Sequence, residues 1–184
     1  KKHMTGLFRK KPQRTHLCVI PSGVPFPSQF AYQGGDAELR VVYVGRLVQE
    51  QKRIFDVIDG LTKVLEALPE ATVCLIGHGS SRADELAVDN RINELGMTGK
   101  IQRIGIVEPH RLHDLLSQFH VMVPLSDNEG TPGAVMDGMA CGLMLVCLDI
   151  PGGVRELVKY EVTGILVVNR KESFVNAIVR LSRD

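Results

Sequence analysis

Thr72-Val73-Cys74-Leu75-Ile76-Gly77-His78-Gly79, followed by the longer amphipathic stretch from Arg82 to Leu95, is the unit from which the fold can be read. A short β-branched, apolar run that ends in glycine and gives way to a helical pattern is a strand feeding a helix. The unit recurs. Leu17–Ile20, Val41–Val44, Thr72–Ile76, Ile101–Ile104, Val121–Pro124, Leu143–Leu148 and Gly164–Val168 read as strands. Helical patterns run from Lys52 to Ala67, Arg82 to Leu95, Arg111 to Phe119, Pro132 to Cys141 and Glu172 to Leu181. Strands alternating with helices at this rhythm predict an α/β domain, a parallel sheet with helices on both faces. Residues Pro21 to Arg40, rich in Gly, Pro and polar side chains, read as a loop region.

The strand ends point to function. Gly45, Gly77-His78-Gly79, Gly105, the turn from Ser126 to Gly130, and Asp149-Ile150-Pro151-Gly152-Gly153 each follow a strand. In an open parallel sheet that carboxyl edge is where ligands lie, and glycines there allow close approach of backbone to a ligand. The alternative is that they only turn the chain. Gly77-His78-Gly79 begins like a dinucleotide fingerprint, but Ser80-Ser81-Arg82 follows and the third glycine is missing.

Composition bounds the rest. The chain has 184 residues, 44% of them hydrophobic, enough for one globular domain with a sizeable core. Its net charge of +1 is unevenly placed. Lys1, Lys2, Arg9, Lys10, Lys11 and Arg14 lie in a stretch of fourteen residues without an acid, and the remaining sixteen basic residues face 21 acids. Residues 1–15 therefore read as a basic arm, either a solvated linker or a means of touching phosphates or an anionic membrane surface. No apolar run is long enough to span a bilayer. Cys18, Cys74, Cys141 and Cys147 lack Cys-x-x-Cys spacing and read as reduced core thiols of a cytoplasmic protein. His110, His113 and His120 cluster without a Cys or carboxylate to complete a ligand set, so they read as surface and packing residues, and no metal site is expected. Nothing in the chain points to nucleic-acid recognition.

The stretch Ser126-Asp127-Asn128-Glu129-Gly130-Thr131-Pro132-Gly133 leads into a helix that is apolar all round except at Asp137. Glu129 and Asp137 have seven residues between them. A carboxylate on a buried helix needs a partner, a basic side chain or a ligand hydroxyl. Thr131 is suited to cap this helix and Pro132 to open it, which would leave N–H groups near Gly133 and Ala134 for an anion such as phosphate. Gly133 and Gly138 each cost such a helix about 1 kcal/mol relative to alanine, a breach of local rules that is commoner at functional sites. Arg46 and Lys52, after the Val41–Val44 strand, supply a planar fork and a mobile point charge suited to a diphosphate. Solvated surface residues are the plainer reading of that pair.

Six segments, taken together and in order, resemble the carboxy-terminal half of retaining glycosyltransferases of family 4. They are Val19-Ile20-Pro21-Ser22-Gly23-Val24; Val44-Gly45-Arg46-Leu47 with Lys52; Ile76-Gly77-His78-Gly79; Pro124-Leu125-Ser126 with Glu129-Gly130; Met139-Ala140-Cys141-Gly142; and Gly152-Gly153 with Glu156. The resemblance implies the GT-B architecture of two Rossmann-like domains, of which residues 16–184 would be the nucleotide-sugar (donor) binding one. An amino-terminal acceptor-binding domain of the same protein would be its partner. Arg46 and Lys52 would hold the donor diphosphate and Glu129 the transferred sugar. Gly45, Ser126 and the backbone of Gly130, Thr131 and Pro132 would line the pocket, Val107 would lie by the base, and Asp137 would face the ribose. The family needs no metal or other cofactor. Transfer would retain anomeric configuration, and the protein would be cytoplasmic, touching the inner face of a membrane through its basic arm. The chain departs from the family where Asp137 replaces a second Glu, shorter by one methylene, and where Gly138 replaces Ala. Ser22 and Pro25 also replace the customary Asn and Asp. A nucleotide-sugar-binding module without transfer activity and a sugar-nucleotide epimerase are the competing readings.

Overall fold

A computed structural model describes residues 38–183 continuously and residues 18, 22–25, 27 and 30 before them. The strand expected over Leu17–Ile20 and the basic arm over 1–15 lie outside the continuously described part. Twelve elements alternate through it: β1 (Arg40–Val44), α1 (Ile54–Ala67), β2 (Thr72–Ile76), α2 (Arg82–Glu94), β3 (Ile101–Ile104), α3 (Pro109–Leu116), β4 (Val121–Met122), α4 (Gly133–Ala140), β5 (Met144–Leu148), α5 (Gly153–Leu157), β6 (Ile165–Val167) and α6 (Glu172–Leu181).

The strands pair in parallel in the order β3-β2-β1-β4-β5-β6. The central strands are too apolar to leave a face in water. Val41, Val42 and Tyr43 are buried in succession, as are residues 73–76 and 145–148, the mark of a sheet covered on both faces. Helix α1 packs against α2 and α6. Helix α4 packs against α5 and is joined by side-chain bonds to α3.

Strand order reverses at β1, which has β2 on one side and β4 on the other. The crevice beyond the carboxyl ends of strands at such a reversal is where open α/β sheets bind ligands. The loops that flank it are 45–53 after β1 and 123–132 after β4. Gly77 keeps the β1 and β2 ends together: its φ is 136°, and a Cβ there would overlap the Gly45 carbonyl oxygen.

Several boundaries differ from the sequence expectation, for local reasons. Helix α1 starts at Ile54, because Arg53 takes a left-handed conformation with φ 53° and ψ 42° that stops the helix from extending back to Lys52. Helix α3 starts two residues before Arg111, with Pro109 in its first turn. Regular pairing of β4 ends early because Pro124 has no N–H to give, although Val123 still donates to Val42 O at 3.0 Å. Helix α5, unforeseen, has only five residues and opens on glycine, too little to show a period. Cys74, Cys141 and Cys147 are buried, and burial raises their thiols to about 11, about 11 and about 12, so they stay protonated. Cys18 is exposed and does not belong to that core.

Candidate functional site

The site builds up from Tyr43. Its side chain is fully buried at the end of β1, and its hydroxyl donates to Arg46 O at 3.0 Å, fixing the loop where it leaves the sheet. Burial, and then the charge of Glu129, push this hydroxyl well above the ordinary tyrosine range, so it remains a permanent donor. Leu47 N donates to His78 O at 2.8 Å and ties the same loop to the end of β2.

Lys52 and Glu129 come together from opposite sides of the crevice. Their side chains form a direct ion pair and are only 17% and 14% exposed. A pair this shielded is held in fixed geometry. It borders a small cavity of about 50 Å³ lined also by Tyr43, Ser126, Pro132 and Ala134. Lys52 has three donors, so pairing with Glu129 leaves it able to bind an anion as well. Arg46 is exposed beside it, with one guanidinium nitrogen donating to Gln51 Oε1 at 2.8 Å.

The turn bearing Glu129 is braced from behind. Arg170 Nε donates to Leu125 O at 2.6 Å, and the same guanidinium pairs with Asp127, which also lies 3.7 Å from Arg53. Asp127 N donates to Gln51 O at 2.9 Å. Beyond Gly130 the chain turns tightly at Pro132, whose φ of −79° and ψ of 84° form an inverse γ-turn closed by Gly133 N to Thr131 O at 3.0 Å. This corrects the expected cap. Thr131 makes no side-chain bond to the start of α4, Pro132 precedes the helix rather than opening it, and the Gly133 N–H is occupied. The Ala134 and Val135 N–H groups have no protein acceptor among the described residues. Helix α4 is also less buried than its composition implied, with only Val135 and Gly138 fully inside. Gly138 is there for space, since a Cβ would lie 2.8 Å from Met122 Sδ.

Asp137 already has its partner: His113 Nε2 lies 2.9 Å from Asp137 Oδ1, the two side chains being 11% and 21% exposed. Expected as a surface or packing residue, His113 is the link between α3 and α4. The need for a ligand hydroxyl to satisfy Asp137 therefore falls away. His113→Ala is expected to cost about 1–2 kcal/mol, because a partly buried carboxylate loses its hydrogen bond. Thermal unfolding should show this as a fall of about 2–8 °C. Adding Asp137→Ala should cost less than the sum of the two single changes.

Of the other sequence candidates, Gly45, Ser126, Gly130, Thr131 and Pro132 lie in the two loops of the crevice, with Ser126 fully buried. Val107 follows β3, two strands from β1, and packs on the core. The Gly79 N–H, which a dinucleotide phosphate would need, is taken by the Glu85 carboxylate; that bond, and then Arg103, hold Glu85 below the usual carboxylate range. A larger hollow of about 650 Å³, bordered by Asp59, Lys63, Arg91 and Lys171, contains none of the sequence-predicted site residues. Among the described residues there is no group of three or more His, Cys, Asp or Glu able to hold a metal, and no helix long and apolar enough to cross a membrane.

The family described as "Glycosyl transferases group 1" matches residues 38–184. An uncharacterized glycosyltransferase of Methanocaldococcus jannaschii is 33% identical over 132 residues, 72% of this chain and 32% of the relative. An exopolysaccharide phosphotransferase of Streptomyces coelicolor is 26% identical over 91% of this chain and 17% of its own length. The chain thus spans a third or less of these curated relatives. The pneumococcal O-GlcNAc transferase GtfA, solved in complex with UDP and GlcNAc, has a similar fold: TM-score 0.78 at 21% identity, over 99% of this chain and 36% of that one. The parallel sheet with its reversal at β1 is accordingly the Rossmann-like sheet of the GT-B glycosyltransferases.

Proposed function

The chain belongs to the group 1 glycosyl transferases, and from that premise we propose that it is the donor-binding part of an enzyme that moves a sugar from a nucleoside diphosphate to an acceptor. The observation that carries this reading is the Lys52–Glu129 pair, set in the crevice of the sheet reversal between Arg46 and the open amides of α4. Cations and amide donors on one side and a carboxylate on the other suit a molecule that is anionic at one end and hydroxylated at the other.

In this proposal Arg46, Lys52 and the Ala134 and Val135 N–H groups take the diphosphate, and Glu129 accepts from sugar hydroxyls. When the bond from the anomeric carbon to the phosphate oxygen breaks, its electron pair leaves with the nucleoside diphosphate. Fixed positive charge at that point stabilises the leaving group with little reorganisation. Glu129, tied to Lys52, orients the sugar and forms no covalent bond. Gly45, Ser126 and the backbone of 130–132 line the pocket, Val107 lies towards the base, and Asp137 reaches the ribose through its second oxygen or a bridging water. Retention of configuration, independence of metals, an amino-terminal acceptor domain, and a cytoplasmic site of action belong to the same proposal.

A thermal-shift panel of nucleoside diphosphates and their sugars tests it, with UDP first because the similar pneumococcal transferase was solved with UDP. A nucleotide at about 100 times its dissociation constant adds about 2.7 kcal/mol. For a domain of this size that raises the midpoint by about 5–10 °C. No shift with any nucleotide at millimolar concentration would contradict the proposal. A second reading, a nucleotide-sugar-binding module without transfer, is favoured by Asp137, whose one oxygen is committed to His113. Nucleotide binding without sugar transfer by the full-length gene product would select it.

A further inference from the structure

Gln51 lies between Glu50 and Lys52 in a polar run and carries no predicted role of its own. In the fold, three of its polar atoms are engaged, one within its own loop and two across the crevice. Its Oε1 accepts from Arg46 Nη2 at 2.8 Å, its Nε2 donates to Asn128 O at 2.9 Å, and its main-chain oxygen accepts from Asp127 N at 2.9 Å. The next residue, Lys52, pairs with Glu129, the neighbour of Asn128. Two adjacent residues of one loop are thereby matched to adjacent residues of the other.

We propose that Gln51 is a positioning residue: its amide aims the Arg46 guanidinium and locks it in register with the turn that carries Glu129. The proposal rests on the nucleotide-sugar reading above. The chemistry requires an amide. A carboxylate at this position could accept from Arg46 but could not donate to the Asn128 carbonyl, and an ammonium could donate but not accept. An exposed arginine is otherwise free to sample many rotamers, and fixing one of them before the ligand arrives removes that ordering cost from binding. Only one guanidinium nitrogen of Arg46 is used in this way, and its other N–H groups have no partner among the described residues. They remain available to phosphate oxygens.

The test is a double-mutant cycle read by isothermal titration with UDP on the 184-residue chain, using Gln51→Leu, Arg46→Ala and the double variant. Gln51→Leu keeps the volume and removes both amide bonds. It is expected to weaken UDP binding by about 5- to 10-fold when Arg46 is present and by less than about 2-fold when Arg46 is alanine. A purely structural role would give equal losses in both backgrounds, and that result would overturn the inference, as would Gln51→Leu binding like the native chain. Gln51→Ala takes the same place in the cycle should the leucine variant not fold. Failure of the native chain to bind UDP or any other nucleoside diphosphate would remove the functional proposal and this inference together. Native binding with an additive cycle removes this inference alone.

Discussion

Arg46→Ala is expected to weaken binding of UDP by about 30- to 150-fold while leaving the unfolding midpoint of the free chain within about 1 °C. The two halves of this expectation have different origins. Losing a charge-assisted contact to a diphosphate costs about 2–3 kcal/mol of binding, which sets the fold-change. Arg46 is exposed, and among the described residues its one side-chain bond is to a neutral amide, so folding depends on it little. Lys52 is different. Its side chain is mostly shielded and compensates Glu129, so Lys52→Ala would leave a carboxylate unpaired in the crevice and lower both stability and affinity. Calorimetric titration alongside thermal unfolding separates the two patterns. Equal affinity of Arg46→Ala and the native chain for UDP would remove the guanidinium from the phosphate site.

Gly153→Ala is expected to destabilise the chain severely and to displace the turn at Gly130. Helix propensity alone predicts the opposite, since alanine is favoured over glycine by about 1 kcal/mol inside a helix. Space decides the sign. A Cβ on Gly153 would lie 2.6 Å from Pro132 Cδ and closer still to the Gly130 carbonyl oxygen. Both are parts of a constrained backbone turn that cannot step aside as a flexible side chain would. Overpacking costs about 1–3 kcal/mol or more where backbone must shift. Here the shift would also move the residues that follow Glu129. A loss of about 3–10 °C in unfolding midpoint, together with weaker nucleotide binding, is the expected result. A Gly153→Ala chain as stable as the native one would show that α5 does not press on this turn.

The alternation of strand and helix was legible because several strands are short apolar runs closed by glycine or proline, as in residues 72–77 and 121–124. Strand order was not legible, because nothing local to Val121–Met122 says that it pairs with β1 rather than with β3, which precedes it. The left-handed Arg53 that delays α1 depends on surroundings no periodicity records. At the site, charged residues following the strand ends marked Arg46, Lys52 and Glu129, but composition could not reveal that Lys52 and Glu129 pair across 77 positions. Nor could it assign His113 to Asp137, 24 positions away on another helix. The bonds of Gln51 were not legible either, since they depend on an amide that can accept and donate at once between two loops 77 positions apart. The need of Asp137 for a partner was legible from its apolar helix, and of the two kinds expected, a basic side chain or a ligand hydroxyl, the fold supplies the first in His113.

The location at which a nucleoside diphosphate binds decides the function of the crevice. Titration of UDP into the ¹⁵N-labelled chain, followed by amide chemical shifts, reads that location directly. The largest perturbations are predicted at Gly45, Arg46, Gly130, Ala134 and Val135, with saturation below millimolar concentration. Perturbations confined to the hollow beside Lys63 and Arg91, or none at all, would contradict the proposal.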